Sequence, residues 1–127
     1  MITWTELLKY HHHPPNPSIP RTDQMEQHYQ EFRRNQPEMI STLRHRFFQS
    51  CSIVLVLSDF PYDLASNIRH YILWISNNDV YTPQQIEAFI IQRYRTAIPR
   101  VNMVCYQNVI NRRTINEIQH YHVFIRE

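Results

Sequence analysis

Two histidines one residue apart, His120 and His122, lead into Val123-Phe124-Ile125 near the end of the chain. In an extended strand side chains alternate faces, so the two imidazoles point the same way. A third histidine, His70, opens the apolar run Tyr71-Ile72-Leu73-Trp74-Ile75, shortly after Asp59-Phe60-Pro61-Tyr62. Polar rings within runs that read as buried need partners, which makes them site candidates. On one strand His70, Ile72 and Trp74 share a face; on the other, His120, His122 and Phe124 do. If the strands are neighbours, His70 lies near the pair. Three neutral imidazoles converging on one side are the protein half of a zinc or iron site with one position open. His70, His120 and His122 are therefore the candidate metal ligands, and a divalent metal such as zinc is the cofactor they would take. Asp59 could accept the second N–H of one ring or serve as a ligand itself.

Asp59, His70, His120 and His122 suit metal-free chemistry equally well. A histidine held by Asp59 can act as general base and its neighbour as acid near neutral pH. Alternating histidines on a strand also present the nucleophile in histidine-triad hydrolases, but here Phe124 takes the third place. Against these stands a structural reading, in which each ring bonds a backbone carbonyl or buried carboxylate and only fixes packing. Asp59 to Tyr62 by itself reads as a rigid turn.

The elements that must position these residues follow from periodicity and caps. Thr3-Trp4-Thr5-Glu6 fits a capping box for a short first helix with Trp4, Leu7 and Leu8 as its stripe. His11-His12-His13 and the prolines at 14, 15, 17 and 20 then read as an extended surface connection. The histidine triplet counts as loop composition. Asp23 with Glu26 suggests a second start, with Met25, Tyr29 and Phe32 at helical spacing to about Asn35. Pro37 opens a third helix whose stripe is Met39, Ile40, Leu43 and Phe47. Residues 52–57 read as a strand buried on both faces, and residues 68–75 as a second strand. Thr82-Pro83-Gln84-Gln85 is the clearest helix start, with Ile86, Phe89, Ile90 and Tyr94 facing in. Residues 101–106 and 120–126 complete the strands, joined by a polar connection with Arg112 and Arg113, in which Thr114 to Glu117 could form one helical turn. The fold class is thus α+β: a single domain over 1–127 with a mostly antiparallel sheet of about four strands. Residues 1–20 form the first helix and proline-rich connection, and 21–127 the core.

Composition removes several functions. The chain has no glycine, which excludes glycine-based phosphate cradles and throws positive-φ turns onto residues such as Asn77-Asn78-Asp79. A net charge of +2 gives a poor case for nucleic acid, although Arg33, Arg34, Arg44 and Arg46 cluster. That cluster reads as a solvated helix surface balanced by Glu26, Glu31 and Glu38. Cys51 and Cys105 read as reduced, buried small hydrophobes. With no signal-peptide pattern and no apolar run long enough to span a bilayer, a soluble, cytoplasmic protein is expected.

Taken in order, Trp4, Arg21-Thr22, Ser58-Asp59-Phe60-Pro61-Tyr62, His70-Tyr71-Ile72-Leu73-Trp74, Cys105-Tyr106-Gln107-Asn108 and Gln119-His120-Tyr121-His122-Val123 resemble a known pattern. It is that of the domain of unknown function typified by fungal N-acetylglucosamine-induced proteins, with relatives in large DNA viruses, so that a virus-encoded source is open. The resemblance implies that Asp59, Pro61, Tyr62, His70, Trp74, Asn108, His120 and His122 are signature positions. It also marks departures: Asp63 for a glycine, Gln107 for a lysine and Gln119 for a glutamate, of which Gln107 and Gln119 could mean lost activity. Two functional expectations result. One is a small hydrolase or metal-binding enzyme centred on the histidines. The other is a non-enzymatic interaction module, an assembly component with a protein partner at the proline-rich segment or the arginine-rich helices.

Overall fold

The structure, a computed structural model, describes residues 1–34, 36–49, 51–76, 79–94, 96, 98–99, 102–108 and 118–127. Its helices are α1 (Trp4–Leu7), α2 (Asp23–Arg33), α3 (Gln36–Phe47) and α4 (Pro83–Arg93), and a 3-10 turn, Leu8–Tyr10, extends α1. The strands are β1 (Ile53–Leu57), β2 (Ile68–Ile75), β3 (Met103–Tyr106) and β4 (Gln119–Arg126). They form one sheet in the order β1-β2-β4-β3, antiparallel throughout. The result is a single-domain α+β fold.

Local chemistry explains where the helices start. Thr3 and Glu6 make the expected capping box on α1, and Thr82 and Gln85 make the one on α4. For α2 the cap is Thr22, whose hydroxyl accepts from the Met25 amide; Asp23 is already the first helical residue, where its charge meets the positive helix end. α3 begins at Gln36, one residue before Pro37.

Strand order settles which runs are buried. β2 and β4 are the central strands, and most of their side chains are buried on both faces, Arg69 being exposed. β1 is an edge strand, only half-buried, with Leu57 open to solvent, so an apolar run here did not mean burial on both faces. One face of the sheet carries Leu73, Ile75, Cys105, Val123 and Ile125 and packs on Ile86 and Ile90 of α4. The opposite face has two clusters. Trp4 and Leu7 of α1 meet Tyr62, Ile68, Tyr106 and Phe124 at one end, and Ile40 and Leu43 of α3 meet Ile72 and Trp74 at the other.

Three further expectations change. The proline-rich connection is not wholly on the surface, because Ile19 is buried in the α1 cluster. Cys105 is buried as expected, but Cys51 is exposed. Among the described residues the positive-φ, non-glycine position is His12, at φ 60. The Asn77-Asn78 turn, the Arg112-Arg113 connection and the turn over Thr114 to Glu117 lie outside the described residues. No described helix is long and apolar enough to cross a membrane.

Candidate functional site: a histidine pair beneath a cavity

The antiparallel register aligns Ile72 with His122, Trp74 with His120 and His70 with Phe124. His70 and His122 are thus diagonal neighbours on one face, close enough for long side chains to meet. His70 Nε2 lies 2.9 Å from His122 Nδ1, and both residues are buried. Their rings belong to a pile with Tyr62 and Phe124, at centroid spacings of 4.5 Å for Tyr62–His70 and 4.7 Å for His70–Phe124.

One backbone group fixes the protons of this pair. The Tyr62 amide donates to His70 Nδ1 at 3.1 Å. A main-chain N–H can only donate, so His70 Nδ1 must hold a lone pair and Nε2 the proton of the neutral ring. That proton points at His122 Nδ1, which must accept. His122 therefore carries its own proton on Nε2, 3.2 Å from the Tyr62 hydroxyl and 3.2 Å from the Asn108 amide nitrogen. The phenol oxygen accepts from it. A half-turn of the Asn108 amide, exchanging its O and N, makes that contact an N–H···O bond too.

Burial keeps both rings neutral. It pushes His70 down to about 3, with the Arg21 cation as a lesser cause. His122 is held well below the ordinary value by burial first, then by His70, His120 and Arg21. The Tyr62 hydroxyl is raised, again mainly by burial.

His120 is set the other way round. Its Nδ1 lies 3.3 Å from the Ile118 carbonyl, which can only accept. Nδ1 thus carries a proton, and in the neutral ring the lone pair is on Nε2. The ring packs on Trp74 (5.1 Å) and stands edge-on to His122 (75° between planes).

A cavity of about 300 Å³ opens above these rings, between the sheet and helices α2 and α3. His120, His122, Tyr62 and Asn108 line it, together with the apolar walls Trp74, Phe47, Phe60 and Leu43. His70 lies behind His122 and does not line it. Arg21 also lines the cavity, stacked over the Tyr29 ring at 4.0 Å, with its Nε–H donating to the Phe60 carbonyl at 2.7 Å. Arg21 thereby anchors the turn that delivers the Tyr62 amide to His70. It drew attention in the sequence only as part of the Arg-Thr motif.

Two expectations about the site are corrected. Asp59 does not hold a histidine: its carboxylate is exposed at the cavity rim and paired with Arg46, at 2.6 and 3.4 Å. The place foreseen for it is taken by the Tyr62 amide. Nor do His70, His120 and His122 converge as ligands, since His70 and His122 use their facing nitrogens on one another. Among the described residues, the group able to hold a metal ion is instead His11, His12 and Cys105. In the sequence His11 and His12 read as loop composition, and no short-range spacing links them to a cysteine more than ninety residues away.

The fold and cavity define an α+β domain with a histidine-lined pocket over its sheet. The chain belongs to the DUF3605 family, proteins of unknown function, whose pattern matches residues 3–126. The crystal structure of HTC1 shares the fold, with a TM-score of 0.67 and 17% identity over 100% of this chain and 86% of that one. No curated protein matches the chain.

Proposed function

We propose that this domain is a small-molecule enzyme that works by acid–base chemistry, hydrolysis of a carbonyl compound being the reaction its cavity suits. We also propose, on the motifs quoted above, that the fungal N-acetylglucosamine-induced proteins typify its family. The observation that carries the enzymatic reading is the opposite protonation of two rings lining one cavity. His122 offers an N–H and His120 a lone pair.

A donor fixed in a water-poor site stabilises an oxygen on which negative charge develops. His122 Nε2–H fills that role as a neutral donor by sharing its one proton between the Tyr62 oxygen and the substrate oxygen in a three-centre bond, and its low basicity keeps it from charging. His120 Nε2 takes the proton of the attacking water as the carbonyl carbon becomes tetrahedral. It returns that proton to the leaving oxygen as the carbon–oxygen bond breaks. Trp74, Phe47 and Phe60 hold the apolar part of the substrate. His70 is sealed behind His122, whereas His120 and His122 line the cavity.

The test combines ¹⁵N-histidine NMR at neutral pH with turnover of a panel of small esters. Expected are a proton on Nε2 of His122 and on Nδ1 of His120, and hydrolysis reduced ~10²-fold or more in His120→Gln and in His122→Gln. The reverse tautomers, or esterase activity equal in wild type and both variants, would overturn the reading.

A further inference from the structure

On the other face of the sheet, remote from that cavity, a second cluster joins the 3-10 turn, β3 and α4. We infer that His11, His12 and Cys105 form a binding site for a borderline-soft divalent cation such as zinc, with Glu87 orienting the His11 imidazole. One nitrogen from each ring and the Cys105 sulfur all lie within 4.8 Å of one another.

The carboxylate of Glu87 selects which nitrogen of His11 this is. Its Oε1 lies 3.1 Å from His11 Nε2, and its Oε2 lies 3.9 Å from His12 Nε2. A carboxylate accepts, so His11 Nε2 carries the proton and His11 Nδ1 the lone pair, whereas His12 Nε2 stands beyond hydrogen-bond distance of Glu87, which does not fix its tautomer. The Nδ1 atoms of both rings turn to Cys105: His11 Nδ1 receives its amide at 3.0 Å, and His12 Nδ1 is 4.0 Å from its Sγ. Imidazoles whose second N–H is held by a carboxylate are the usual form of histidine metal ligands.

Two features lack another explanation. His12 Nε2 is buried without a hydrogen-bond partner, although Glu87 Oε2 stands just beyond reach. His12 also holds the left-handed region at φ 60, a costly place for a residue with a Cβ, fixed by its amide donating to the Cys105 carbonyl at 2.7 Å. A tetrahedral zinc with metal–nitrogen bonds of ~2.0–2.1 Å and a metal–sulfur bond of ~2.3 Å separates its ligands by roughly 3.3–3.6 Å. The His12–Cys105 distance needs only a small closure, and the same movement can bring His12 Nε2 onto Glu87. On binding, the Cys105 thiol releases its proton to solvent and the His11 lone pair leaves the outward-facing Cys105 amide. Burial raises this thiol to about 12, and the cation offsets that penalty directly. Both rings are partly solvent-accessible, at 29% and 25%, so an ion can enter.

The experiment uses the full untagged chain, stripped with chelator and titrated with Co²⁺ and then Zn²⁺. Expected are one equivalent of Co²⁺ with a thiolate-to-cobalt charge-transfer band, its displacement by Zn²⁺, and loss of the band in Cys105→Ala. His12→Asn, which tolerates the left-handed backbone, and Glu87→Gln should each weaken Zn²⁺ binding by ~10–100-fold. No charge-transfer band in the wild type, or Zn²⁺ affinity unchanged in folded His12→Asn and Glu87→Gln, overturns the site whether or not Cys105→Ala folds.

Discussion

The Tyr62 residue acts at both ends of the histidine pair: its amide caps His70 and its hydroxyl meets His122. These two contacts can be separated by substitution. Tyr62→Phe leaves the amide, and hence the order of protons, but takes the phenol oxygen from a buried N–H. Asn108 still accepts from that N–H, so the loss is that of one buried hydrogen bond, ~0.5–1.5 kcal/mol, to be read from urea unfolding. The NMR tautomers of His70 and His122 should not change in this variant. A switched His70 tautomer would show that the amide does not set the protons. At this scale the sequence was partly legible. Alternation along the strands put His70 and His122 on one face, but it could not say what lay between them. Asp59 was misplaced because charge attracts attention in a sequence, whereas the group that reached His70 was a backbone amide that any residue type carries. Arg46, thirteen positions earlier, claimed the carboxylate.

At the level of elements, caps and alternation were the reliable signals because both are local. Thr82, Pro83 and Gln85 begin α4 where expected, and β2 spans the foreseen residues. What failed was the partition of apolar runs between edge and centre, which depends on strand order and so on contacts distant in sequence. β1 is the case in point. The cap supports a direct prediction. Thr82→Ala removes the acceptor of the Gln85 amide and should lower stability by ~1 kcal/mol. Because α4 packs on the face away from the cavity, the same variant should leave the His120 and His122 imidazole resonances unmoved. Shifts in those resonances as large as the ones seen near residue 82 would mean that the two faces are coupled.

For the molecule as a whole, the sheet separates two histidine clusters, and both make the fold sensitive to acid in the same direction. His70 and His122 are buried and depressed from 6.5, and His12 is lowered chiefly by burial as well. A base whose folded-state value lies below its unfolded value binds its proton more readily in the unfolded chain. Its stabilising contribution is therefore complete above about pH 6.5 and is lost as the pH falls towards the folded value, about 3 for His70. Each such proton adds a slope of up to ~1.4 kcal/mol per pH unit, so the His70–His122 pair can supply up to ~2.7. Carboxylates held low in the fold, as Glu6 is by its hydrogen bonds from Thr3, give the same sign but at lower pH, so the interval from pH 6.5 to 5 isolates the histidines. Unfolding free energy measured by urea should fall steeply across that interval in the wild type. In His122→Gln, where one of these protons is gone, the slope should be shallower by up to ~1.4 kcal/mol per pH unit even if the variant is less stable at pH 7. A flat wild-type profile, or equal slopes in the two proteins, would show that the pair is not held neutral by the fold. The neutral N–H that His122 presents to the cavity would then lose its physical basis.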